Sequence, residues 1–384
     1  MNKKKELFLL TLIFILAIFL RFFKLGQNPV SLYWDEAAIG LDAYSINQTG
    51  RDMNNMSWLQ PVLGSYGDFK APIMIWLVTI SVHFFGMNPF AIRLPVAIFS
   101  LLTIYLIYLL VKEVLSFNDT LTKKYKLLPI LTAFILSISP WTVHFGRIAF
   151  ESSISVTFLS LALLFFVKAL KNKPFFYLLS TFAGTLAVYS YYSLRVIVPV
   201  FCMVLIVLFF KEIKKNKGWL IISIFLFVIS VLPIIKSPYY ARSQDYRLNN
   251  NNIIRHQKII EESSQYMERY DSNLFSKLVY HRYVLIGRDF LKNIASHFSA
   301  DFLFISGDTV TLRQHSGYFG EFLLICAPFY YLGLFLLFKN FKTKLSIFLL
   351  IFMALSPIPA AMVYEVPHAS RAIYLFVPFS ALPD

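Results

Sequence analysis

Two adjacent carboxylates, Asp35 and Glu36, follow the first apolar run in the stretch Tyr33-Trp34-Asp35-Glu36-Ala37-Ala38. Residues 37–49 can form a short helix with Asp35 at its cap, where the helix dipole favours the ionised carboxylate that a general base needs. A plain acidic cap at a membrane surface fits the same two residues. Glu151 is a third candidate, in Phe145-Gly146-Arg147-Ile148-Ala149-Phe150-Glu151. A carboxylate among apolar neighbours at membrane depth is costly unless it is paired or functional. Arg147 stands four residues earlier, so a helical ion pair is the alternative account.

Cations recur around these acids: Lys70 in Asp68-Phe69-Lys70-Ala71-Pro72, Arg93 in Phe90-Ala91-Ile92-Arg93-Leu94-Pro95, Arg195 after Tyr191-Tyr192, and Arg371 after His368. Any one alone suits a side chain reaching toward lipid headgroups. As a set they suit a phosphate, because the planar arginine fork holds phosphate oxygens by paired hydrogen bonds. A carboxylate base beside such cations fits a reaction whose leaving group is a lipid phosphate.

The elements that must carry these residues are apolar runs near Leu7–Phe23, Pro89–Val111, Leu127–Val143, Ser152–Val167, Phe175–Tyr192, Val196–Phe210, Trp219–Ile235, Glu321–Phe338 and Leu345–Val363. Each is roughly long enough to cross a bilayer core as a helix. With 384 residues, 57% of them hydrophobic, the chain reads as an all-α polytopic membrane protein of about ten transmembrane helices. Placing the amino terminus in the cytoplasm puts the short lysine-rich connections inside, among them Lys3–Lys5, Lys112–Lys126, Lys168–Lys173, Lys211–Lys217 and Lys339–Lys344. The arginines and the Asp35–Glu36 pair then gather outside. The net charge of +15 orients helices and meets anionic headgroups, which excludes the nucleic-acid reading it would suggest in a soluble protein.

Two outer regions are long. In the first, 26–88, the apolar run Pro72–Phe85 reads as a helix lying in the outer interface or re-entering from it, since a true span would turn the lysine loop 112–126 outward. The second, 236–318, reads as an extracytoplasmic cap, with Tyr239–Arg255 as an exposed, asparagine-rich loop and His281–Phe304 as helices packed back on the membrane surface. The organisation is therefore a transmembrane catalytic module over 1–235, the cap over 236–318 and carboxyl-terminal helices over 319–384. The last run, Arg371–Asp384, is too short to cross, so the chain reads as truncated there or as ending in an unusually short segment. Cys202 and Cys326 fall in apolar runs and give neither a disulfide nor a metal framework. Asp301, Asp308 and Glu321 can approach the site from the large loop. The seven histidines lack metal spacing and no glycine-rich phosphate loop is present, so no cofactor is implied and a divalent-metal requirement is left open.

The ordered set from Trp34-Asp35-Glu36 through Asp68-Phe69-Lys70-Ala71-Pro72 to Phe90-Ala91-Ile92-Arg93-Leu94-Pro95, then Arg147…Glu151, Tyr191…Arg195 and Pro367-His368-Ala369-Ser370-Arg371, resembles C-type membrane glycosyltransferases. Within them it is similar to protein O-mannosyltransferases and to the bacterial transferases that put aminoarabinose on lipid A. The resemblance implies a polyprenyl- or dolichyl-phosphate sugar donor and transfer with inversion to an acceptor hydroxyl on protein, lipid or glycan, at the outer face of the cell membrane. It implies Asp35 as general base, Glu36 as shaping the site, and Glu151 at the second acidic position, often Asp in relatives. Lys70 matches the lysine near the donor phosphate, where relatives usually carry Lys-Pro-Pro; Arg93 matches an arginine near the donor head group. Arg147, Tyr191, Arg195, His368 and Arg371 fall on the donor side. Two other classes fit less closely. A transporter or flippase of lipid-linked sugars would want ionisable groups near mid-bilayer, and a non-catalytic partner subunit would bind donor without turnover.

Overall fold

The computed structural model describes residues 2–171, 173–250, 252–270, 273–317 and 319–380; the predicted boundary at Tyr318 and the end of the last run at Asp384 lie outside them. Helices α1 (Lys3–Phe22), α2 (Trp34–Thr49), α3 (Pro72–Phe85), α4 (Pro89–Leu115), α5 (Asp119–Lys124), α6 (Leu128–Ile138), α7 (Pro140–His144), α8 (Glu151–Leu170), α9 (Phe176–Ser190), α10 (Leu194–Leu208), α11 (Phe210–Lys214) and α12 (Lys217–Lys236) follow one another with one small hairpin between α2 and α3. That hairpin pairs β1 (Leu63–Gly64) with β2 (Phe69–Lys70), antiparallel, Leu63 opposite Lys70. Then come α13 (Pro238–Asn250), α14 (Gln257–Arg269), α15 (Leu274–Val279), α16 (Arg282–Ser296), α17 (Ala327–Lys339), α18 (Lys344–Leu355), α19 (Ile358–Ala361) and α20 (Phe376–Ser380).

Among the described residues four helical stretches are long and apolar enough to cross a membrane: Pro89–Leu115, Glu151–Leu170, Lys217–Lys236 and Lys344–Ala361. Shorter apolar helices, α3, α6, α9, α10 and the stretch Leu324–Lys339, accompany them. This is a mostly helical, multi-pass membrane fold. Several predicted runs are interrupted, and proline is the recurrent cause, since it lacks an N–H and clashes with the preceding turn. Leu127–Val143 breaks at Ser139, before Pro140, into α6 and α7. Leu345–Val363 breaks at Ser356-Pro357. The run expected from Glu321 becomes an α-helix only at Ala327, and Glu321 itself is buried in the turn before it.

The bundle has two chemically different ends. At one, lysines pair with glutamates across helices: Lys112 with Glu6 at 2.6 Å, Lys171 with Glu113 at 2.9 Å and Lys344 with Glu212 at 2.6 Å. At the other, arginines close helix ends. A helix leaves its last carbonyls without partners, and away from water they need donors. Fully buried Arg21 gives its donors to the α6 carbonyls of Leu136 (3.1 Å) and Ser137 (3.0 Å), to Ala17 O, and to the hydroxyls of Ser100 and Thr142. Arg147 does the same for α1, reaching the carbonyls of Leu20, Arg21, Phe23 and Asn28 at 2.7–3.1 Å. The predicted Arg147–Glu151 helical pair therefore does not form. The chain turns between them, and α8 begins only at Glu151.

The expectation of an exposed loop over Tyr239–Arg255 is also overturned. Residues 238–250 form α13, whose inner face is spaced as a helix requires: Tyr239 and Tyr246 pack on Phe69, and Ser243 is buried between them. A small apolar cluster of Ile253, Ile259 and Leu285 joins α14 and α16 to the segment after α13. That unit is pinned to residues 361–363 by Ile253 N–H to Met362 O and by the Asn293 amide to the carbonyls of Ala361 and Val363.

Candidate active site

The site is built where α2, the β-hairpin, α8, the α9–α10 corner and α13 meet. Tyr33 caps α2, and Glu36, in its first turn, accepts the Tyr33 N–H at 3.0 Å, closing the capping box. Asp35 lies between them and turns the other way. Its Oδ1 is ion-paired with Lys70 Nζ, its Oδ2 accepts the Trp34 indole N–H at 3.0 Å, and Arg313 Nη1 stands 3.8 Å from Oδ2. The hairpin delivers Lys70 as its last residue, separated only by Ala71 from the start of α3 at Pro72. Burial lowers the Lys70 ammonium, but the carboxylates of Asp35, Glu151 and Asp68 outweigh it and hold the group above its ordinary range.

Glu36 and Arg93 face away from this cluster. They form a two-pronged ion pair, 2.9 and 3.1 Å, with both side chains 0% exposed. Arg93 gives its remaining donors to the carbonyls of Leu25, Pro29 and Ser31, and Glu36 also accepts the Ala149 N–H at 3.0 Å. All five Arg93 N–H groups are thereby held by the protein. The pair fastens the 25–31 loop, α2 and the entry to α8 into one unit. Glu151 Oε1 accepts the Ala71 N–H, so the second acidic position holds the backbone next to Lys70, within electrostatic reach of Lys70, Arg247 and Asp68.

A second group of cations surrounds Tyr192. Arg195 and Arg247 stack on its ring, each with its guanidinium carbon 3.8 Å from the centroid. Arg247 also holds Asp68 Oδ1 at 3.3 Å and Phe69 O at 3.1 Å. Arg195 is different: its three guanidinium nitrogens are buried and, among the described residues, meet no carboxylate or carbonyl, with only the Tyr192 side chain at hand. Arg371 is within electrostatic reach of Tyr191, Arg247 and Asp68, and its guanidinium makes no hydrogen bond or ion pair among the described residues. Buried donors are almost always satisfied in a folded protein, so two open arginines, both within electrostatic reach of Arg247, are chemically able to take an anion. His368 lies three residues back, its Nδ1 accepting the Arg371 N–H at 3.4 Å.

The structure thus brings Asp35, Lys70, Glu151, Tyr191, Arg195 and Arg371 to one end of the bundle, and turns Glu36, Arg93 and Arg147 into fastenings behind it. The sequence reading missed Arg247 and Arg313. Arg247 had a signal, the 239, 243, 246, 247 periodicity of α13, hidden by its polar composition; Arg313 had none. Among the described residues no group of three or more His, Cys, Asp or Glu side chains is arranged to hold a metal ion.

A sequence profile of the dolichyl-phosphate-mannose-protein mannosyltransferase family matches residues 69–234, the stretch that carries Lys70, Arg93, Glu151 and Arg195. No curated protein matches the chain in sequence. The fold is similar to ArnT from Cupriavidus metallidurans, solved bound to undecaprenyl phosphate, with a TM-score of 0.51 and 9% identity over 100% of this chain and 60% of that one. It is also similar to the archaeal oligosaccharyltransferase AglB from Archaeoglobus fulgidus, solved with an inhibitory peptide and a dolichol-phosphate, with a TM-score of 0.55 and 15% identity over 100% of this chain and 50% of that one. The chain therefore spans 60% and half of the lengths of these two, and the likeness is one of fold. It resembles the C-type membrane glycosyltransferases, on the side of the protein O-mannosyltransferases and ArnT.

Two outcomes follow from the geometry. Replacing Glu36 by Ala leaves Arg93 buried without its counter-charge, a change that costs about 3–5 kcal/mol; the expected result is a large drop in the unfolding temperature of the purified protein. Asp42, on the inner face of α2, accepts the Met53 N–H through Oδ1 while its Oδ2 is buried and unpartnered. Burial chiefly, with Asp52 nearby, raises its pKa from 3.8 to about 7. The folded state then binds this proton more tightly than the unfolded one, so the contribution is fully present below pH 3.8 and is lost as pH rises through about 7. Asp42→Asn should flatten stability against pH across that window, as measured by unfolding scans at stepped pH.

Proposed function

We propose that this protein is a membrane glycosyltransferase that moves a sugar from a polyprenyl-phosphate donor to an acceptor hydroxyl, with inversion. The observation that carries the reading is that Lys70, ion-paired with Asp35, shares its carboxylate neighbours with two open arginines: Glu151 is within electrostatic reach of both Lys70 and Arg195, and Asp68 of both Lys70 and Arg371. In this reading Asp35 takes the acceptor proton, the acceptor oxygen bonds to the anomeric carbon, and the bond from that carbon to the phosphate oxygen breaks. The electron pair leaves on the polyprenyl phosphate. Lys70, Arg195, Arg247 and Arg371 supply charge already in place for that leaving group, with Tyr191 beside them. Glu151 holds Ala71 and so Lys70. Glu36, Arg93 and Arg147 act by fastening the scaffold and not by touching the donor, the role their saturated hydrogen bonding supports.

The same reading places the site on the extracytoplasmic side, with the amino terminus and the lysine-rich end in the cytoplasm, about ten membrane crossings in the whole protein, and residues 236–318 as a cap over the site. ArnT bound to undecaprenyl phosphate and AglB bound to dolichol-phosphate supply the donor class by analogy. The acceptor is a protein, lipid or glycan hydroxyl. A transporter is disfavoured because the charged groups of the long helices α4, α8 and α12 sit near the helix ends and not along their middles.

Two measurements test this. Asp35→Asn should lower sugar transfer by the purified protein about 10²–10⁴-fold, the contribution of a positioned base, while undecaprenyl phosphate binding persists; undiminished turnover would reject the assignment. Arg195→Ala should weaken undecaprenyl phosphate binding about 10-fold or more, the equivalent of 1.4 kcal/mol for each factor of ten, with the fold intact by thermal unfolding. Unchanged affinity would remove Arg195 from the donor site. Mass spectrometry of glycans from cells with and without the gene identifies sugar and acceptor.

A further inference from the structure

Four consecutive backbone N–H groups, from His368 to Arg371, are each held by a side-chain acceptor. His368 N–H donates to His297 Nε2 at 3.0 Å, Ala369 N–H to Asp308 Oδ2 at 2.9 Å, Ser370 N–H to Gln314 Oε1 at 3.0 Å, and Arg371 N–H to His368 Nδ1 at 3.4 Å. His297, Asp308 and Gln314 are all buried and come from one region, the end of α16 and the loop that follows it. Buried backbone N–H groups outside helices and strands need partners from side chains, backbone or water. Here three side chains, distant in sequence, fix the path of the residues that lead into Arg371.

Two of the three acceptors are themselves held. His297 Nδ1 lies 2.7 Å from Asn293 O, which sets Nδ1 as the donor and leaves Nε2 free to accept. Burial lowers the His297 pKa to about 4, which keeps the ring neutral at ordinary pH. Asp308 Oδ1 accepts the N–H groups of Val310 (3.2 Å) and Thr311 (3.0 Å), and its own N–H donates to Glu321 Oε1 at 3.2 Å. The same loop also reaches the base: Arg313, between Thr311 and Gln314, stands 3.8 Å from Asp35 Oδ2 and over the Trp34 ring at 5.6 Å, while its carbonyl is 3.2 Å from His144 Nε2. One stretch, 308–314, therefore touches the carboxylate at one side of the site and the arginine-bearing segment at the other.

We propose that His297, Asp308 and Gln314 are positioning residues that set Arg371 for a phosphate, and that the 308–314 loop fixes the distance between that phosphate and Asp35. The proposal rests on the reading of Arg371 as a donor-phosphate ligand, and the experiment separates the two. Binding of undecaprenyl phosphate to the purified full chain in nanodiscs is measured for wild type, Gln314→Ala, Arg371→Ala and the double variant. Gln314→Ala should weaken binding about 5–10-fold in the wild-type background and less than about 2-fold in the Arg371→Ala background, since residues acting through one another are non-additive. Equal losses in both backgrounds would overturn the positioning role. Should Gln314→Ala fail to fold, the cycle is run with Gln314→Asn, whose shorter amide withdraws from Ser370 while remaining polar. If Arg371→Ala itself leaves binding unchanged, it is the phosphate reading that falls; if Arg371→Ala weakens binding and Gln314→Ala does not, the positioning role alone falls.

Discussion

Carbonyl groups at the ends of buried helices need donors, and in this protein arginine supplies them. Arg21 closes α6, Arg147 closes α1, and Arg93 closes the 25–31 loop while holding Glu36. Away from water an unpartnered carbonyl is costly, so these contacts decide where the helices stop and how α2 enters the bundle. A lysine, with one point charge on a flexible stem, could not bridge several carbonyls in fixed directions as a guanidinium does. The position of Asp35 depends on this, because α2 is anchored one residue further on by Glu36.

The contrast among the arginines is informative. Arg93 has no N–H left for a ligand, and the terminal nitrogens of Arg147 are committed to the end of α1 and the loop that follows it. Arg195 is buried with no carboxylate or carbonyl on its nitrogens among the described residues, and Arg371 is likewise open, both within electrostatic reach of Arg247. Stacking on Tyr192 orients Arg195 without consuming its hydrogen bonds, since a ring face attracts the cation but accepts no N–H in the plane of the fork. Residue type alone could not divide these arginines into closed and open.

That limit shows how far the sequence carries. The helices with continuous apolar runs were legible, as was the gathering of acids and arginines at one end, because charge segregation and hydrophobic length are properties of the linear chain. Pro72–Phe85 came through with its exact bounds, flanked by proline at its start and glycine after its end. The helix breaks at Ser139 and Ser356 were signalled by the prolines after them but overridden by run length. Arg147 and Glu151 illustrate what was not legible: a spacing of four suggests a pair only if the helix is continuous, and the turn before Glu151 sends the two side chains to different partners. Likewise α13 looked like a loop by composition, and only its tertiary contacts with Phe69 and Asp68 make it a helix with a purpose.

Lys70 joins the two halves of the proposed chemistry. It is paired with Asp35, with Asp68 4.0 Å away and Glu151 in reach. On the proposed reading, charge appears on the departing phosphate as a proton arrives on Asp35. Neutralising Asp35 removes the counter-charge from Lys70 at the moment when the phosphate becomes more negative, so attraction to the leaving group strengthens as the reaction proceeds. An interaction that grows between ground state and transition state accelerates the step, whereas one that is equal in both only aids binding. On this reading, the contact between Asp35 and Lys70 provides that growth without any movement of the scaffold.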